Sequence, residues 1–190
     1  MGMKQTIEVL NRMEADGVIG RYCIAGAVAA LNYVEASATE DLDILVSFEE
    51  LQGQPKSGLL TLQPIVSYLA GLGYAEFRKE GLVIEGWPVQ FLPVANDLDK
   101  EALQSAKEVT IDLHDGDVMT RLLRAEHVVA NALKTGRPKD RVRILQFLEA
   151  GAVETDELCT VLRRHALLSA LAEFCLSAGI ANPCMVKSSP

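Results

Sequence analysis

The sequence predicts an α+β fold in which a mixed β-sheet core with flanking helices is followed by a C-terminal helical bundle. Two observations lead to this prediction. Up to about residue 115, short apolar runs of strand length alternate with longer amphipathic segments of helix length. From Asp117 onward the apolar spacing becomes helical and stays helical. We therefore expect an α/β core over residues 1–115 and a C-terminal helical region over residues 116–190.

The first part of the core begins with an amphipathic helix over residues 4–15, because apolar side chains recur there at helical spacing. The apolar run 22–25 has the length of a buried strand, and it ends at Gly26. Residues 27–31 are small and helix-forming, so they can pack closely against a sheet. Residues 41–48 alternate acidic and apolar before becoming wholly apolar, which predicts a central strand whose leading end carries two acids on one face.

A loop containing glycine and proline separates this part from the rest of the core. Beyond the loop, amphipathic spacing predicts two more helices, and short apolar runs predict four more strands that complete the mixed sheet. The helices are expected over residues 59–72 and 97–106, and the strands over residues 75–78, 82–85, 87–93 and 108–113.

The C-terminal region contains four predicted helices. The first carries a spaced set of apolar residues, Met119, Leu122, Val129 and Leu133. Gly136 follows the end of this helix and Pro138 opens the next one, which is the usual placement of these two residue types. Two shorter helices are expected over residues 154–164 and 166–177.

Composition and charge exclude several classes of protein. A hydrophobic fraction of 49% is enough for a real core and argues against a disordered segment. The net charge of −8 argues against a protein that coats nucleic acid without sequence preference, because neutralising phosphates needs a surplus of lysine and arginine. No apolar run approaches the roughly 20 residues that span a bilayer, so no membrane partner is expected.

The cysteines and the N-terminus favour a cytoplasmic protein. The four cysteines are scattered at positions 23, 159, 175 and 184, and none forms a Cys-x-x-Cys pair. The first residues mix polar, acidic and apolar types, unlike a secretory signal peptide. We therefore expect reduced thiols in a cytoplasm and no zinc site.

The strongest candidate for chemistry is the order strand, Gly26-Ala27, helix, turn, then Asp41 and Asp43. A glycine at a strand-to-helix turn lets the backbone approach a ligand closely, and a helix N-terminus favours phosphate. Side chains two residues apart on a strand share a face, which places these carboxylates about 7 Å from each other. Two such carboxylates can hold Mg²⁺ together with substrate phosphates. Each piece also has a plainer interpretation, namely a solubilising acidic pair at a sheet edge and an ordinary turn glycine.

The segment Ala25-Gly26-Ala27, followed after thirteen residues by Asp41-Leu42-Asp43-Ile44, resembles the signature of the polymerase-β-type nucleotidyltransferases. Downstream, Glu126-His127 and the segment Lys134–Asp140 resemble the AbiEii-like branch, which includes toxin components of toxin–antitoxin systems. The resemblance implies that the two acids bind Mg²⁺ or Mn²⁺ and that the turn at Gly26 and Ala27 contacts nucleotide phosphates. In that superfamily a third carboxylate on a later strand usually completes the site.

The sequence departs from that family pattern at two positions. Ala27 stands where the pattern has serine or glycine, which removes a hydroxyl contact but keeps the residue small. Gln90 occupies the strand position aligned with the third acid, where an amide can offer a carbonyl oxygen to a metal but no charge. Glu85 lies nearby in sequence, but the expected register does not favour it as a replacement. These departures concern catalysis rather than the fold.

A second candidate cluster is basic and lies at the expected junction of two helices. It consists of Lys134, Arg137, Lys139, Arg141 and Arg143. The resemblance implies that Lys139 and Asp140 are catalytic and that Lys134 and Arg137 bind the nucleotide, since lysine and arginine can converge on triphosphate oxygens. The alternative is a solvated helix face on which Asp140 pairs locally with Arg143 or Lys139.

Together these features lead to two functional hypotheses. The first is a nucleotidyltransferase that binds a nucleoside triphosphate with Mg²⁺ and transfers a nucleoside monophosphate to a hydroxyl of RNA, protein or a small molecule. The second is a non-catalytic relative that serves as a nucleotide sensor or an interaction module. Gln90 favours the second hypothesis and the retained Asp-x-Asp favours the first. The resemblance adds an antitoxin or a second copy of the chain as candidate partners.

Overall fold

The structure is a computed structural model that describes residues 2–35, 39–47, 62–113 and 116–185. The chain divides into two compact units by its internal contacts. Unit 1 consists of Met1–Val28 and Ser37–Leu123, and unit 2 consists of Ala29–Ala36 and Arg124–Pro190. The predicted combination of a mixed sheet, flanking helices and a C-terminal helical region is confirmed.

The described part of unit 1 contains a mixed sheet of seven strands. The strands are β1 Tyr22–Ile24, β2 Leu42–Val46, β3 Phe77–Arg78, β4 Gly81–Ile84, β5 Trp87–Pro93, β6 Lys107–Ile111 and β7 Val118–Leu122. Their order across the sheet is β3-β4-β5-β2-β1-β7-β6. The pairs β2–β5 and β1–β7 are parallel, and the other neighbouring pairs are antiparallel.

Helices α1 Met3–Ala15, α3 Gln63–Gly71 and α4 Asp97–Gln104 belong to unit 1, and the five-residue helix α2 Gly26–Ala30 begins in it. The apolar stripe that predicted α1 is fully buried, since Ile7, Leu10 and Met13 have no exposed surface. In α4 the side chain of Asn96 accepts a hydrogen bond from the backbone N–H of Asp99 and caps the helix. These helices follow from amphipathic spacing and local capping.

Strand β2 occupies the centre of the sheet, between β5 and β1. Its side chains Leu42, Ile44 and Val46 are fully buried on one face of the sheet. A strand with neighbours on both sides and a covered face needs such a dense apolar sequence. Only Asp43 interrupts the buried residues within β2, and it is part-exposed on the other face.

The stretch after residue 117 corrects one prediction. Met119 and Leu122 were expected in a helix, but they belong to β7, so the sheet continues past residue 115. Val118 and Thr120 are buried while Met119 is 63% exposed, which is the alternation of a strand. A spacing of three residues fits a helix turn as well, but the two β-branched side chains favour the strand.

The described part of unit 2 contains four further helices, α5 Ala125–Thr135, α6 Pro138–Glu149, α7 Thr155–Arg164 and α8 Leu168–Ala178. Gly136 ends α5 in the left-handed conformation, with φ of 66°, and Pro138 is the first residue of α6, as predicted. The Arg141 guanidinium donates to Ser177 Oγ at 2.5 Å and lies 5.2 Å from the centre of the Phe174 ring. These contacts connect α6 to α8.

Two cysteines correct the expectation of reduced thiols. Cys159 of α7 forms a disulfide with Cys184, while Cys23 and Cys175 are buried free thiols. The bonded residues are 25 positions apart, and only the return of the chain after α8 brings them together. None of the helices in the described residues is both long and apolar enough to cross a bilayer.

Candidate functional site

The first feature of the candidate site is the close contact between Gly26 and Asp43. The backbone N–H of Ala25 donates to the carbonyl oxygen of Asp43 at 2.8 Å, which continues the β1–β2 pairing by one residue. Gly26 then turns with φ of 58°, and a Cβ at this position would lie 2.0 Å from Asp43 Oδ2. Only glycine fits this turn, because its backbone lies directly against the carboxylate.

The second feature is the register between β2 and β5. Asp43 is paired with Gln90 across the parallel ladder. Paired residues in neighbouring strands point to the same face of a sheet, so these two side chains share the face opposite the buried Leu42 and Ile44. Gln90 therefore lies on the strand next to Asp43, where the sequence placed the third acid of the pattern.

Asp41 directly precedes β2 and is positioned by a threonine. The Thr39 hydroxyl lies 2.9 Å from Asp41 Oδ1 and 3.1 Å from the Asp41 carbonyl oxygen, so it can donate to either. From the sequence, only a turn was expected in front of Asp41, and this contact was not predicted. The signal was present, because threonine two residues from an aspartate often makes such a local hydrogen bond.

A lysine from a neighbouring turn faces the acids of this segment. Lys79, between β3 and β4, donates from Nζ to Glu40 Oε2 at 2.8 Å. The hydrogen bond from Lys79 lowers the pKa of Glu40. Glu40 raises the pKa of Lys79 in turn, and Asp41 adds a smaller contribution in the same direction. Lys79 was absent from the residues that the sequence singled out.

Glu85 does not take the place of the third acid. It lies in the two-residue turn between β4 and β5, where Glu85 and Gly86 have φ of 50° and 91°, as a type I′ hairpin turn requires. Its carboxylate accepts a hydrogen bond from the Tyr74 hydroxyl at 2.5 Å, and this bond raises the pKa of Tyr74 to about 12. In the described residues no group of three or more histidines, cysteines or acids is arranged to hold a metal ion.

The site therefore offers oxygen ligands of two kinds, the carboxylates of Asp41 and Asp43 and the amide of Gln90. All of these are hard donors of the type that Mg²⁺ accepts, and Mg²⁺ is commonly held by one or two carboxylates plus substrate phosphates. In donor chemistry, Asp41 and Asp43 could hold one such ion together with a phosphate group. A second ion would lack a third negative charge at Gln90.

The basic cluster of unit 2 is organised around a buried aspartate. The Asp140 side chain is 1% exposed and accepts from Arg137 Nε at 2.8 Å and from Arg143 Nη1 at 3.2 Å. Asp140 thus pairs locally with Arg143, as expected for a solvated helix face, but its second partner is Arg137 and not Lys139. The buried Asp140 carboxylate is therefore in contact with these two arginines and is shielded from solvent. Lys134 and Lys139 are exposed on the surface of the unit.

The segment Glu126-His127, which contributed to the family resemblance, is buried in unit 2. Glu126 lies 3.5 Å from the Arg124 guanidinium and accepts a hydrogen bond from the backbone N–H of Glu154 at 3.2 Å. Because Glu154 is the N-cap of α7 and makes no side-chain cap of its own, Glu126 supplies an acceptor at that helix start. Its position is explained by this structural contact.

Comparison with known proteins supports the fold. The crystal structure of an antigenic nucleotidyltransferase-like protein from Paracoccidioides brasiliensis is similar to this chain, with a TM-score of 0.54 and 13% sequence identity. The similarity covers 93% of this chain and 89% of that protein. The chain has a nucleotidyltransferase-like fold. No protein-family model matches the sequence, and no curated protein matches it. At this identity the nucleotidyltransferase-like relative establishes the architecture alone.

Proposed function

We propose that the protein binds a nucleoside triphosphate together with Mg²⁺ on the face of β2 that carries the part-exposed Asp43. The observation that carries the proposal is the convergence of Gly26, Asp43 and Gln90 within a nucleotidyltransferase-like fold. Asp41 and Asp43 would hold the metal, with Mn²⁺ as an alternative ion. The turn at Gly26 and Ala27 would face the phosphates.

Within this proposal each residue has a physical task. Thr39 holds the Asp41 carboxylate by a hydrogen bond, and the close backbone at Gly26 limits where the Asp43 carboxylate can lie. The bound metal would neutralise phosphate charge and polarise the phosphorus–oxygen bonds. Gln90 supplies an oxygen dipole beside Asp43 but no negative charge and no proton acceptor. We therefore expect the protein to bind nucleotide more effectively than it turns it over.

The complete reaction would transfer a nucleoside monophosphate to a hydroxyl of RNA, protein or a small molecule. The second candidate function is a nucleotide sensor or interaction module without transfer, and Gln90 in the register of Asp43 is the observation that favours it. The two candidates share the binding step and differ only in turnover.

The family resemblance adds several specific roles to this proposal. They are an AbiEii-like toxin role, an antitoxin or a second copy of the chain as partner, and the nucleotide contacts of Lys134, Arg137 and Lys139. Asp140 would act by orienting Arg137. A cytoplasmic location is also proposed, and the Cys159–Cys184 disulfide is the observation against it.

The binding step is tested by calorimetry with each of the four non-hydrolysable nucleoside triphosphate analogues, in Mg²⁺ and in EDTA. Asp41→Asn and Asp43→Asn should each weaken Mg²⁺-dependent binding at least about tenfold, which corresponds to losing roughly 1.4 kcal/mol of charged contact. Asp97→Asn serves as the matched control, because Asp97 is an exposed acid on α4 of the same unit. Affinity unchanged in both site variants would overturn the proposed function.

Turnover is tested by transfer of labelled nucleotide to total RNA and total protein. Gln90→Asp should raise transfer above wild type by adding the missing charge, and combining it with Asp43→Ala should abolish the gain. Strong wild-type transfer that Gln90→Ala leaves unchanged would contradict the role given to Gln90 and would favour a different third ligand.

A further inference from the structure

The turn between β3 and β4 brings a cation to the acidic segment in front of β2. Lys79 lies 39 residues after Glu40 in the chain, yet its Nζ is 2.8 Å from Glu40 Oε2. Lys79 adopts the left-handed conformation, with φ of 55°, which is uncommon for residues other than glycine, asparagine and aspartate. Because Arg78 pairs with Gly81 across β3 and β4, Lys79 is the first residue of a two-residue hairpin turn, and such turns favour a positive φ at that position.

The acidic segment next to Lys79 carries more carboxylates than one ammonium can neutralise. Glu40, Asp41 and Asp43 place three carboxylates within four consecutive residues. Lys79 pairs with the first of them, and its pKa is raised first by Glu40 and to a smaller extent by the charge of Asp41. Both members of the Lys79–Glu40 pair are largely exposed, at 64% and 82% of their side-chain surface. An exposed pair of this kind is weak and exchanges its partner easily.

We propose that Lys79 is a phosphate-positioning residue of the nucleotide site, and that Glu40 holds its ammonium until a phosphate replaces that carboxylate. This inference rests on the proposed function, because it requires a phosphate beside Asp41 and Asp43. A triphosphate carries more negative charge than one bound Mg²⁺ neutralises. Carboxylates and phosphates both accept charge-assisted hydrogen bonds from an ammonium, and a triphosphate brings more negative charge to Lys79 than the single carboxylate of Glu40 does.

A purely structural salt bridge and a phosphate-positioning lysine predict different results. If the pair only connects the β3–β4 turn to the segment before β2, removing either partner loosens the same connection and shifts affinity in the same direction. If Lys79 serves the phosphate and Glu40 competes for it, removing Lys79 weakens binding whereas removing the charge of Glu40 strengthens it. The signs of the two effects therefore separate the two roles.

The experiment measures calorimetric affinities for the Mg²⁺ complexes of the four non-hydrolysable triphosphate analogues and for the corresponding monophosphates. Lys79→Ala should weaken triphosphate binding about tenfold and monophosphate binding less, since a charge-assisted hydrogen bond is lost. Glu40→Gln should strengthen triphosphate binding about two- to fivefold, the range of an exposed ion pair. Lys79→Arg should keep most of the affinity. Arg78→Ala is the matched control, because Arg78 is the adjacent exposed cation and pairs with Glu76 at 3.2 Å.

Two results would overturn the inference while the proposed function stands. The first is equal triphosphate affinity of Lys79→Ala and Arg78→Ala. The second is a shift of triphosphate affinity in the same direction for Lys79→Ala and Glu40→Gln. Either result counts when triphosphate binding still depends on Asp43. Absence of triphosphate binding by the wild-type protein would overturn both. Unfolding curves of every variant show whether a loss of affinity comes from a loss of folded protein.

Discussion

Replacing Gly26 with alanine tests how strongly ligand binding depends on the position of the Asp43 carboxylate. The new Cβ would lie 2.0 Å from Asp43 Oδ2, whereas real Cβ atoms essentially never come closer than 3.0 Å, so the carboxylate has to withdraw by at least about 1 Å. The left-handed φ of 58° is a separate penalty. For a residue with a Cβ it costs about 1–2 kcal/mol.

The chain offers a control that carries the backbone penalty alone. Gly17 has φ of 69°, and a Cβ there would meet no atom within 4 Å. Gly17→Ala should therefore lower the free energy of unfolding by about 1–2 kcal/mol, and Gly26→Ala should lower it by that amount or more. For a chain of this length each kcal/mol corresponds to a fall of about 2–4 °C in Tm.

The assay combines thermal unfolding with calorimetry of Mg²⁺-dependent triphosphate binding at a temperature where both variants are folded. We expect Gly17→Ala to bind like the wild type and Gly26→Ala to bind at least about tenfold more weakly, because displacing the Asp43 carboxylate removes a charged contact of roughly 1.4 kcal/mol or more. Equal affinity of the two variants would refute the reasoning that the Gly26 turn positions Asp43 for a ligand.

Two further predictions concern unit 2. Either substitution of Arg143 or Arg137 removes one arginine from the buried Asp140, but Arg143 is 14% exposed and Arg137 is 54% exposed, so solvent screens the Arg143 contact less. Arg143→Ala should therefore lower the free energy of unfolding in urea by about 3 kcal/mol and Arg137→Ala by about 1 kcal/mol or less, and equal losses would contradict this. Cys159→Ser should cost the oxidised protein about 3.5 kcal/mol from the entropy of a 25-residue loop. Alkylation of the unfolded protein followed by mass spectrometry should find two free thiols before reduction and four after, and four before reduction would argue against the disulfide.

Much of the sheet around the candidate site could be predicted from the sequence, because the signals there are local. The acidic start and apolar end of residues 41–48 define a central strand, and glycine after an apolar run marks the turn at Gly26. The apolar run 87–93 predicted a strand at Gln90, and the family resemblance implied that this strand lies beside Asp43, with which Gln90 pairs. The order of elements then limits which strands can be neighbours.

The contacts that the sequence did not predict depend on tertiary structure. The Lys79–Glu40 pair and the Cys159–Cys184 bond join residues that are 39 and 25 positions apart, and no periodic pattern marks such partners. The misassigned stretch at 118–122 is a different case, because Met119 and Leu122 fit a helix while the burial alternates as in a strand. There the competing signals were both local, and packing against β1 and β6 decides between them.

The parallel register of β2 and β5 also determines how close this chain is to a site with a full set of carboxylates. Glutamine and glutamate have side chains of the same length and shape and differ only in an amide nitrogen against an oxygen. Gln90→Glu would therefore add a negative charge beside Asp43 without asking the sheet to repack, since Gln90 lies on the part-exposed face. One isosteric replacement, Gln90→Glu, would therefore give the site three acidic residues. The charge of the site can change in this way while the strand pairing that supports it stays the same.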